Sequence, residues 1–340
     1  MVLGEIKTMK TRRLIAFCGV LILAAAALTS CSSSAPKPES LPVVELRQEW
    51  FPNANFAGEV SAAKRFAKDE KIQLKVVPGA EDVDPIKVVL SKGADFGVVG
   101  GDLLVAAVAK GAPLVAIGVA NVKSPTCFLV KAKSGIKSPA DFVGKRVGIL
   151  AGTNTERVYQ LMMKRAGIDR AKVKEVQVPF ELQTFVLGQY DVRPAFIYDE
   201  PVSLEQQNIP YEIIDPARYG VHFTGTVYFT RRDVLDAKRP LAQALVTTLV
   251  KGWAFTIANP DESFSDLMAA YPSLKRDRER RSLQLALPYF AGENGKPLTT
   301  SGDTWQAMIS GLEEIGVIAQ HSVRVEQVWD SSLVDHAYAK

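Results

Sequence analysis

Apolar positions follow two alternating periods from about residue 43 onward. Runs of five to seven mostly apolar residues alternate with stretches in which apolar side chains recur every three or four positions. These patterns predict strands at 44–50, 72–77, 95–99, 114–119 and 146–150, and helices at 56–67, 85–91, 102–110 and 155–166. Short apolar strands separated by helices are typical of α/β proteins, in which helices flank mainly parallel sheets. We therefore expect an α/β fold.

A second series of the same kind begins near residue 138. Ser138, Pro139 and Asp141 form a helix start, with an N-cap, a proline at the first helical position and an acid in the first turn. Strands are then predicted at 173–178, 194–198, 211–214 and 226–230, and the pattern is nearly all helical after residue 240. This length suits two domains. We predict a first lobe at 43–129 and 226–340, with a second lobe at 130–225 inserted into it.

The first thirty residues have the order of a secretory signal peptide. A basic stretch precedes an apolar run from Leu14 to Leu28, and small residues precede Cys31. The apolar run is shorter than the about 20 residues that span a membrane, although a permanent anchor helix stays open as an alternative. Met9 and the basic residues after it have the form of a signal start by themselves, which leaves open whether the first eight residues are translated. We predict a signal peptide at 1–30.

Residues 28–31 resemble the lipobox of bacterial lipoproteins, in which the cysteine becomes the acylated first residue of the mature chain. The Ser- and Pro-rich stretch at 31–42 has no apolar anchor and predicts a flexible tether. Cys31 is therefore expected to carry a lipid. We expect the protein to be exported and anchored to the bacterial membrane, where it faces the periplasm or the cell exterior.

The charge balance argues against a nucleic-acid partner. The formal net charge is +4, from 41 Lys and Arg against 37 Asp and Glu. The first thirty residues contribute +3 of it, from four cations and one anion. The rest of the chain has no basic field that could release counterions from a phosphate backbone. A charge run at 275–281 is expected to form a solvated helix face rather than a docking patch for a transporter.

Cysteine and histidine usage argues against a disulfide, a metal site and a bound cofactor. Beyond Cys31 only Cys127 remains, in an apolar run that favours a buried, inert thiol. His222, His321 and His336 are far apart, and the sequence has no HExxH or CxxC pattern and no Asp-rich calcium loop. It also lacks the GxxxxGKS, GxxxxGKT and GxGxxG loops that cradle nucleotide phosphates. We expect neither a metal nor a cofactor.

The loop after the first predicted strand offers binding chemistry. Trp50 and Phe56 have rings that can stack, and Asn53 and Asn55 have amides that donate and accept hydrogen bonds. In open α/β sheets, ligands bind where strands end, because loops and helix N-termini converge there. An equally good interpretation is that the rings pack in the core and the Asn residues shape the turn.

Several segments together resemble the periplasmic solute-binding proteins of ABC importers. They are Trp50-Phe51-Pro52-Asn53, Asn55-Phe56-Ala57-Gly58, Ala94-Asp95-Phe96-Gly97, the stretch at 135–148 and Tyr198-Asp199-Glu200-Pro201. The resemblance runs from about residue 44 to 258. It is strongest with the branch that binds thiamine-pyrimidine precursors, which has riboflavin-binding and nitrate-, sulfonate- or taurine-binding relatives. It implies a type II periplasmic-binding-protein fold, with two hinge crossings between two lobes that close on the ligand.

The same resemblance implies a set of ligand contacts. Matched motifs place these residues in the pocket: Trp50, Asn55, Phe56, Gly101 and Asp102 from the first lobe, Thr153, Asn154, Thr155, Tyr198 and Glu200 from the second, and His222 at the return crossing. In the family, the acid that matches Glu200 pairs with the amino group of an aminopyrimidine, and the aromatic that matches Tyr198 stacks on the ring. Helix capping is the alternative role for Asp102, for residues 153–155 and for Glu200.

The implied function is capture of a small heteroaromatic solute, such as a thiamine pyrimidine precursor of the hydroxymethylpyrimidine type. The protein would deliver the solute as a monomer to an ABC permease without chemical change. Riboflavin-binding and nitrate-, sulfonate- or taurine-binding relatives are alternatives, and the sequence departs from the pyrimidine pattern at Glu59-Val60, where an aromatic pair usually follows. A pyrimidine-precursor synthase is a further alternative. Those enzymes carry a Cys-rich run in the stretch that matches 221–227, which contains no Cys here.

Overall fold

The computed structural model describes residues 40–339 of the chain. The predictions for a signal peptide at 1–30, for a lipid on Cys31 and for most of the tether lie outside these residues. The described residues contain two five-stranded sheets with helices packed around them. Each sheet buries its central strands, because apolar side chains on both of their faces are covered by helices.

The first sheet combines four strands from residues 43–119 with one strand from residues 226–231. It contains β1 (Val43–Arg47), β2 (Gln73–Val77), β3 (Phe96–Gly100), β4 (Leu114–Val119) and β10 (Thr226–Arg231), in the order β2-β1-β3-β10-β4. Strand β1 pairs in parallel with β2 and β3, whereas β10 runs antiparallel to β3 and β4. Four of the five strands therefore share one direction. The three strands β3, β10 and β4 are buried along their whole length.

The second sheet repeats this arrangement. It contains β5 (Thr126–Lys131), β6 (Arg146–Ile149), β7 (Lys174–Gln177), β8 (Val192–Phe196) and β9 (Tyr211–Ile214), in the order β7-β6-β8-β5-β9. Strand β6 pairs in parallel with β7 and β8, and β5 runs antiparallel to β8 and β9. Only the edge strands β7 and β9 are largely exposed. The two lobes thus have the same topology.

The chain crosses between the sheets twice, at 120–125 and at 215–225. The strand that follows each crossing, β5 or β10, is the reversed strand of its sheet. A parallel pair of consecutive strands needs a crossover connection, usually a helix. A strand that arrives from the other lobe has no such connection within its own sheet. The two-lobed α/β fold with two crossings that the sequence predicts is confirmed. The predicted boundary between 129 and 130 falls inside β5, so the whole of β5 lies in the second sheet.

Helices cover both sheets. They are α1 (Ala57–Ser61), which continues as a π-helical turn at Ala62–Phe66, α2 (Pro85–Leu90), α3 (Gly101–Ala109), α4 (Asn154–Arg165), α5 (Gln183–Val186), α6 (Glu200–Gln206), α7 (Arg232–Ala237), α8 (Arg239–Ala258), α9 (Pro260–Ala270), α10 (Arg276–Ala286), α11 (Gly302–Glu314), α12 (Val325–Val328) and α13 (Ser332–Ala339). The start predicted at 138–141 opens only a short 3₁₀ turn, Pro139–Phe142. Asp141 caps that turn and Val143 leaves the helical conformation.

Helix α8 forms the central support of the first lobe. By length and composition it could cross a membrane, but Leu245, Leu249 and Trp253 are buried in the core of the lobe. Its close approach to α1 depends on Gly58, because a Cβ at this position would fall inside the ring of Trp253. The first helix after β1 is therefore pressed against α8, and this contact sets the direction of the loop that enters α1.

Candidate ligand-binding site

The loop after β1 is fixed at the carboxyl edge of the first sheet. The N–H of Gln48 donates to the carbonyl of Val77 over 2.9 Å, which continues the pairing with β2 beyond the last residue of β1. Asn53 then caps a short helical turn, since its Oδ1 accepts from the backbone N–H of Asn55 at 2.8 Å. The capping role that was one alternative for Asn53 is therefore observed. The side chains between these two fixed points project where the strands end.

Glu49 lies in this loop where β1, β3 and β10 meet. The backbone of Gly100 and the side chain of Thr226 lie close enough to its carboxylate to lower its pKa as hydrogen-bond donors. Burial, and after it the charge of Asp102, raises the pKa of Glu49 to about 7, although the two hydrogen bonds act in the other direction. In the part of the chain that the structure describes, no cation offsets its charge. Glu49 is thus a carboxylate that titrates near neutrality.

A second carboxylate of the first lobe, that of Glu59 in α1, is fully buried and bonded through both oxygens. Gln48 Nε2 donates to Oε2 over 2.5 Å, and the Tyr228 hydroxyl donates to Oε1 over 2.9 Å. Trp253 Nε1 in turn donates to the Tyr228 oxygen over 2.6 Å. Burial raises the pKa of Glu59 to about 8 despite these bonds. This network links the end of β1 with α1, β10 and α8 in the interior of the first lobe. It holds Gln48, at the start of the loop after β1, in place.

Trp50 makes an aromatic contact across the two lobes. Its ring centroid lies 4.9 Å from that of Phe180, which follows β7 in the second lobe, with the planes tilted by 56°. Phe51 of its own loop meets the same ring edge-on at 5.5 Å. Trp50 is only partly buried, and both phenylalanines are exposed. The ring of Trp50 therefore lies at a contact between the two lobes, beyond the ends of β1 and β7.

Asn55 and Phe56 occupy different environments although they are adjacent. Asn55 is buried, with 8% of its surface exposed, and its side-chain Oδ1 has no hydrogen-bond partner among the described residues. Phe56 packs in the hydrophobic core of the first lobe with Val60, Leu249 and Trp253. Asn55 thus presents a free acceptor, whereas Phe56 contributes packing.

Gly101 and Asp102 begin α3 and contact the second lobe or the crossing. The N–H of Gly101 donates to the carbonyl of Gly225 over 3.0 Å, which ties α3 to the return crossing. Asp102 is fully buried and accepts from Asn154 Nδ2 at 2.6 Å and from Arg157 Nη1 at 2.7 Å, both in α4 of the second lobe. The structure therefore brings Asp102 and Asn154 together, as a bond between lobes.

The polar side chains around the start of α4 are hydrogen-bonded within the protein. The Thr153 hydroxyl donates to the carbonyl of Leu150 over 2.7 Å and lies 2.9 Å from the hydroxyl of Thr155. Asn154 Oδ1 accepts from the hydroxyl of Thr126 over 2.7 Å, and its amide donates to Asp102. These three predicted site residues lie together at the start of α4, beside the contact with the first lobe, but the polar atoms named here already have protein partners.

Tyr198 and Glu200 follow β8 in the second lobe. Tyr198 is buried, with its ring 6.1 Å from that of Tyr289, and burial, followed by the charge of Glu49, raises its pKa well above the usual value. Glu200 begins α6. Its Oε2 accepts from the N–H of Phe196 over 2.9 Å, and its Oε1 lies 3.3 Å from Arg193 Nη2. Burial, and next the charge of Asp199, raises the pKa of Glu200 to about 7.

His222 lies on the return crossing with its side chain exposed. Its neighbours Val221 and Phe223 are buried, so the imidazole is on the solvent side of the segment. Within residues 40–339, no group of three or more His, Cys, Asp or Glu residues is arranged to hold a metal ion. Cys127 is a buried free thiol, and burial raises its pKa well above the usual value.

Most of the charge run at 275–281 is exposed, as the sequence predicts, but two of its arginines form ion pairs with the second lobe. Arg278 of α10 pairs with Asp199 of the second lobe and with Glu279, and Arg281 pairs with Glu205 of α6 at 2.8 Å. Glu279 in turn accepts from the N–H of Ala54 over 2.7 Å. Helix α10 therefore connects the loop after β1 with the second lobe. Asp199 and Glu205 lie more than seventy positions away along the chain, which is why local patterning does not reveal these two pairs.

Three residues that sequence reasoning passed over are prominent at this site. Glu49 stands directly before Trp50, Phe180 follows β7, and Arg193 is a fully buried cation in β8. The rule that ligands meet the carboxyl ends of strands applies to Glu49 and Phe180 and could have found them. Nothing in the local sequence marks Arg193, because an arginine in an apolar strand is recognised only through its distant partners.

Comparison with known proteins gives the same picture of the fold. A formylaminopyrimidine-binding protein of Halalkalibacterium halodurans is 27% identical over 86% of this chain and 92% of its own length. A 4-amino-5-hydroxymethyl-2-methylpyrimidine phosphate synthase of Legionella pneumophila is 25% identical over 82% of this chain and 88% of its own. The crystal structure of the periplasmic aliphatic sulphonate binding protein of Escherichia coli matches with a TM-score of 0.67 and 17% identity, over 85% of this chain and 92% of that one.

The periplasmic-binding-protein fold expected from the Trp50 loop and its companion motifs is confirmed by this structural match. The relatives named for pyrimidines confirm the resemblance from which the expectation came. The family model described as NMT1/THI5-like matches residues 53–263, which is more than half of the chain and includes the ends of strands in both lobes. The chain therefore belongs to the NMT1/THI5-like family.

Proposed function

We propose that this protein binds a small, planar heteroaromatic solute that carries an amino group, in the cleft between its two lobes. One observation carries the proposal: the carboxylate of Glu49 has no countercharge among the described residues, and Glu49 immediately precedes Trp50 in the loop after β1. A ring with an exocyclic amino group can stack on the indole and donate to the carboxylate. The free Oδ1 of Asn55 offers a second acceptor in the same loop.

The charges near Glu49 favour a ligand that donates hydrogen bonds and disfavour an anionic ligand. A sulfonate or nitrate would meet the uncompensated carboxylate of Glu49 and be repelled by it. The arginines nearby are already committed, since Arg157 pairs with Asp102 and Arg193 with Glu200. The relative named for formylaminopyrimidine agrees with this preference, and a pyrimidine precursor is the ligand class that we propose.

We propose binding without chemical conversion, although one relative is named as a synthase. The segment that matches the Cys-rich run of such enzymes contains no Cys in this chain. Strand β10, which begins inside that segment, uses Thr226 and Tyr228 for hydrogen bonds to Glu49 and Glu59. These groups hold the cleft in shape, and a binding role needs nothing more from them.

The experiment is a thermal-shift screen followed by isothermal titration with four probes. They are 4-amino-5-hydroxymethyl-2-methylpyrimidine, formylaminopyrimidine, riboflavin and taurine. We expect one or both pyrimidines to bind at micromolar concentration or below and to be recovered unchanged by mass spectrometry, with no binding of taurine. Binding of taurine alone would contradict the proposal in favour of an anion carrier. Binding of riboflavin alone would assign the cleft to a flavin, and conversion of a pyrimidine would assign an enzyme.

We further propose that the protein is exported, acylated on Cys31 and coupled to an ABC permease. The support is the sequence order of an apolar run, a lipobox-like tetrapeptide and a Ser- and Pro-rich stretch. The variant Cys31→Ser should move the protein from the membrane to the soluble fraction in detergent partition, while Cys127→Ser should leave it membrane-bound. An N-terminus other than Cys31 by mass spectrometry would contradict the assignment.

A further inference from the structure

Phe180 stands out because it is an exposed aromatic that touches the other lobe. It lies three residues beyond the end of β7, at the carboxyl edge of the second sheet, with 37% of its surface exposed. Its ring centroid lies 4.9 Å from that of Trp50. Phe51, which follows Trp50 in the chain, is the other exposed phenylalanine in contact with Trp50. The rings of Phe180 and Trp50 belong to different lobes, so their separation changes when the cleft opens or closes.

The backbone at Phe180 is held from the interior of the second lobe. Arg193 is fully buried in β8, and its Nη2 donates to the carbonyl of Phe180 over 2.6 Å. Its Nη1 donates to the carbonyl of Pro179 over 2.7 Å and contacts the Tyr190 hydroxyl at 2.9 Å. A planar guanidinium that binds two successive carbonyls fixes both their position and their direction. Phe180 is therefore presented by a rigid support.

Glu200 completes this support. Its Oε1 lies 3.3 Å from Arg193 Nη2, while its Oε2 accepts from the N–H of Phe196. A buried guanidinium needs a countercharge, and removal of that charge leaves the cation uncompensated. The chain of contacts thus runs from Glu200 through Arg193 to Phe180, and from there to the ring of Trp50 in the other lobe.

We propose that Phe180 and Trp50 are the two faces of an aromatic clamp, with Arg193 and Glu200 as its positioning residues, a role that rests on the proposed binding of a flat ring. A ring held between two others needs about 7 Å between them, which is twice the contact distance of carbon atoms. The observed 4.9 Å would therefore widen by about 2 Å. The second lobe then recognises the face of the ring, and Glu200 acts on the ligand only through Phe180.

Phe51 provides a matched control for the clamp. It is also an exposed phenylalanine in contact with Trp50, at 5.5 Å and 78°. It comes from the same loop as Trp50, so it cannot close over a ligand from the opposite side. Replacement by Leu removes an aromatic face at either position and keeps an apolar side chain of similar length.

The test compares Phe180→Leu with Phe51→Leu, by isothermal titration and stopped-flow release of 4-amino-5-hydroxymethyl-2-methylpyrimidine and formylaminopyrimidine. We expect Phe180→Leu to weaken binding about fivefold to tenfold, mainly through faster release, with an unchanged melting temperature of the free protein. Phe51→Leu should stay within twofold of wild type. If the wild type binds a probe and the affinity of Phe180→Leu is within twofold of the wild-type value, the clamp is overturned and the proposed function is not. Absence of wild-type binding to any heteroaromatic probe overturns the proposed function and the clamp with it.

The positioning role of Arg193 is tested by a double-mutant cycle. Arg193→Lys keeps the charge but cannot donate to the carbonyls of Pro179 and Phe180 at the same time with a planar group. Ligand affinity should therefore fall about as far as in Phe180→Leu. In the Phe180→Leu background the same change should add less than twofold, because the ring it positions is absent. If Arg193→Lys does not fold, Glu200→Gln takes its place in the cycle, with an expected loss of less than about threefold that should vanish in the Phe180→Leu background. Fully additive losses would overturn the positioning role, since a merely structural residue weakens binding whether or not the ring is present.

Discussion

The two lobes share one strand order but face the cleft with different chemistry. In the first lobe, Glu49 has no countercharge among the described residues and Asn55 Oδ1 has no hydrogen-bond partner. In the second lobe, Glu200 is held by an arginine and a backbone N–H, and the amide of Asn154 bonds to Asp102 and Thr126. The lobes therefore differ in two groups: Glu49 lacks a countercharge whereas Glu200 has one, and the side-chain oxygen of Asn55 is unpaired whereas that of Asn154 is bonded.

This difference indicates a division of labour within one fold. A buried polar atom without a partner is unfavourable unless something satisfies it, and we propose that a ligand donates to the unpaired oxygen of Asn55. The second lobe offers mainly the ring of Phe180 and its ion pairs to α10. The topology is the same in both lobes, so the side chains that follow the strands, and not the fold, assign these roles.

Of the substitutions that we propose, removal of the Trp50 ring in the first lobe should have the largest effect on ligand affinity. Stacking of a base-like ring on an aromatic side chain contributes about 1–3 kcal/mol by alanine substitution, which is roughly a 5- to 150-fold change in affinity. We expect Trp50→Ala to weaken binding of the pyrimidine probes by this amount in isothermal titration, with Phe51→Ala as the neighbouring control. An affinity of Trp50→Ala within twofold of wild type would remove the first lobe from ring recognition.

The affinity should also depend on pH through Glu49. Its pKa is about 7 in the free protein, and an amino donor favours the ionised carboxylate. Binding should therefore weaken as pH falls through 7, by about tenfold between pH 8 and pH 6. Glu49→Gln should flatten this dependence, whereas Glu200→Gln, although its pKa is also raised to about 7, should keep it. If Glu200→Gln flattens the profile instead, the titrating acceptor lies in the second lobe.

A smaller effect is expected from the ion pair that joins α10 to the second lobe. Arg278 pairs with Asp199, and both side chains are partly exposed. Partly exposed pairs of this kind contribute up to about 1 kcal/mol, so Arg278→Ala should speed ligand release by less than about fivefold in stopped-flow measurements. Asp199→Asn should have the same effect, and the double variant should add little. Additive losses would show that the two residues act separately.

The buried carboxylate of the first lobe should change stability and leave affinity nearly unchanged. The pKa of Glu59 is about 8 in the folded protein, against an ordinary 4.5. The folded state therefore binds this proton more tightly, and the stabilisation is lost as pH rises from about 4.5 to 8. Relative to Glu59→Gln, the melting temperature of wild type should fall by about 2 °C or more between pH 5 and pH 8. Ligand affinity of the variant should stay within twofold, and a tenfold loss would place Glu59 in the binding site.

Most of the fold could be predicted from the periodicity of apolar positions. The strand predicted at 114–119 coincides with β4, and the helix at 102–110 differs from α3 by one residue at each end. Strand direction was less accessible, because β5 and β10 are buried on both faces, as parallel strands are. Their reversal follows from the two crossings, which involve segments far apart in sequence.

The candidate site was predictable in place but only partly in chemistry. The loops at the ends of β1, β3 and β6 do meet, as the rule for open sheets requires, and Trp50 and Asn55 are both found there. The state of each carboxylate was beyond the sequence, since the partners of Glu200 are Arg193 and a backbone group in the preceding strand. The amino-acid sequence alone does not show whether a carboxylate is paired with a cation.

The most direct test of the division of labour is a paired titration of Glu49→Gln and Glu200→Gln with the pyrimidine probes at pH 8. Both changes keep side-chain size and remove one charge. We expect Glu49→Gln to weaken binding about tenfold, because a charge-assisted hydrogen bond becomes a neutral one, and Glu200→Gln to weaken it by less than about threefold. A tenfold loss in Glu200→Gln with unchanged binding in Glu49→Gln would contradict the account and place polar recognition in the second lobe.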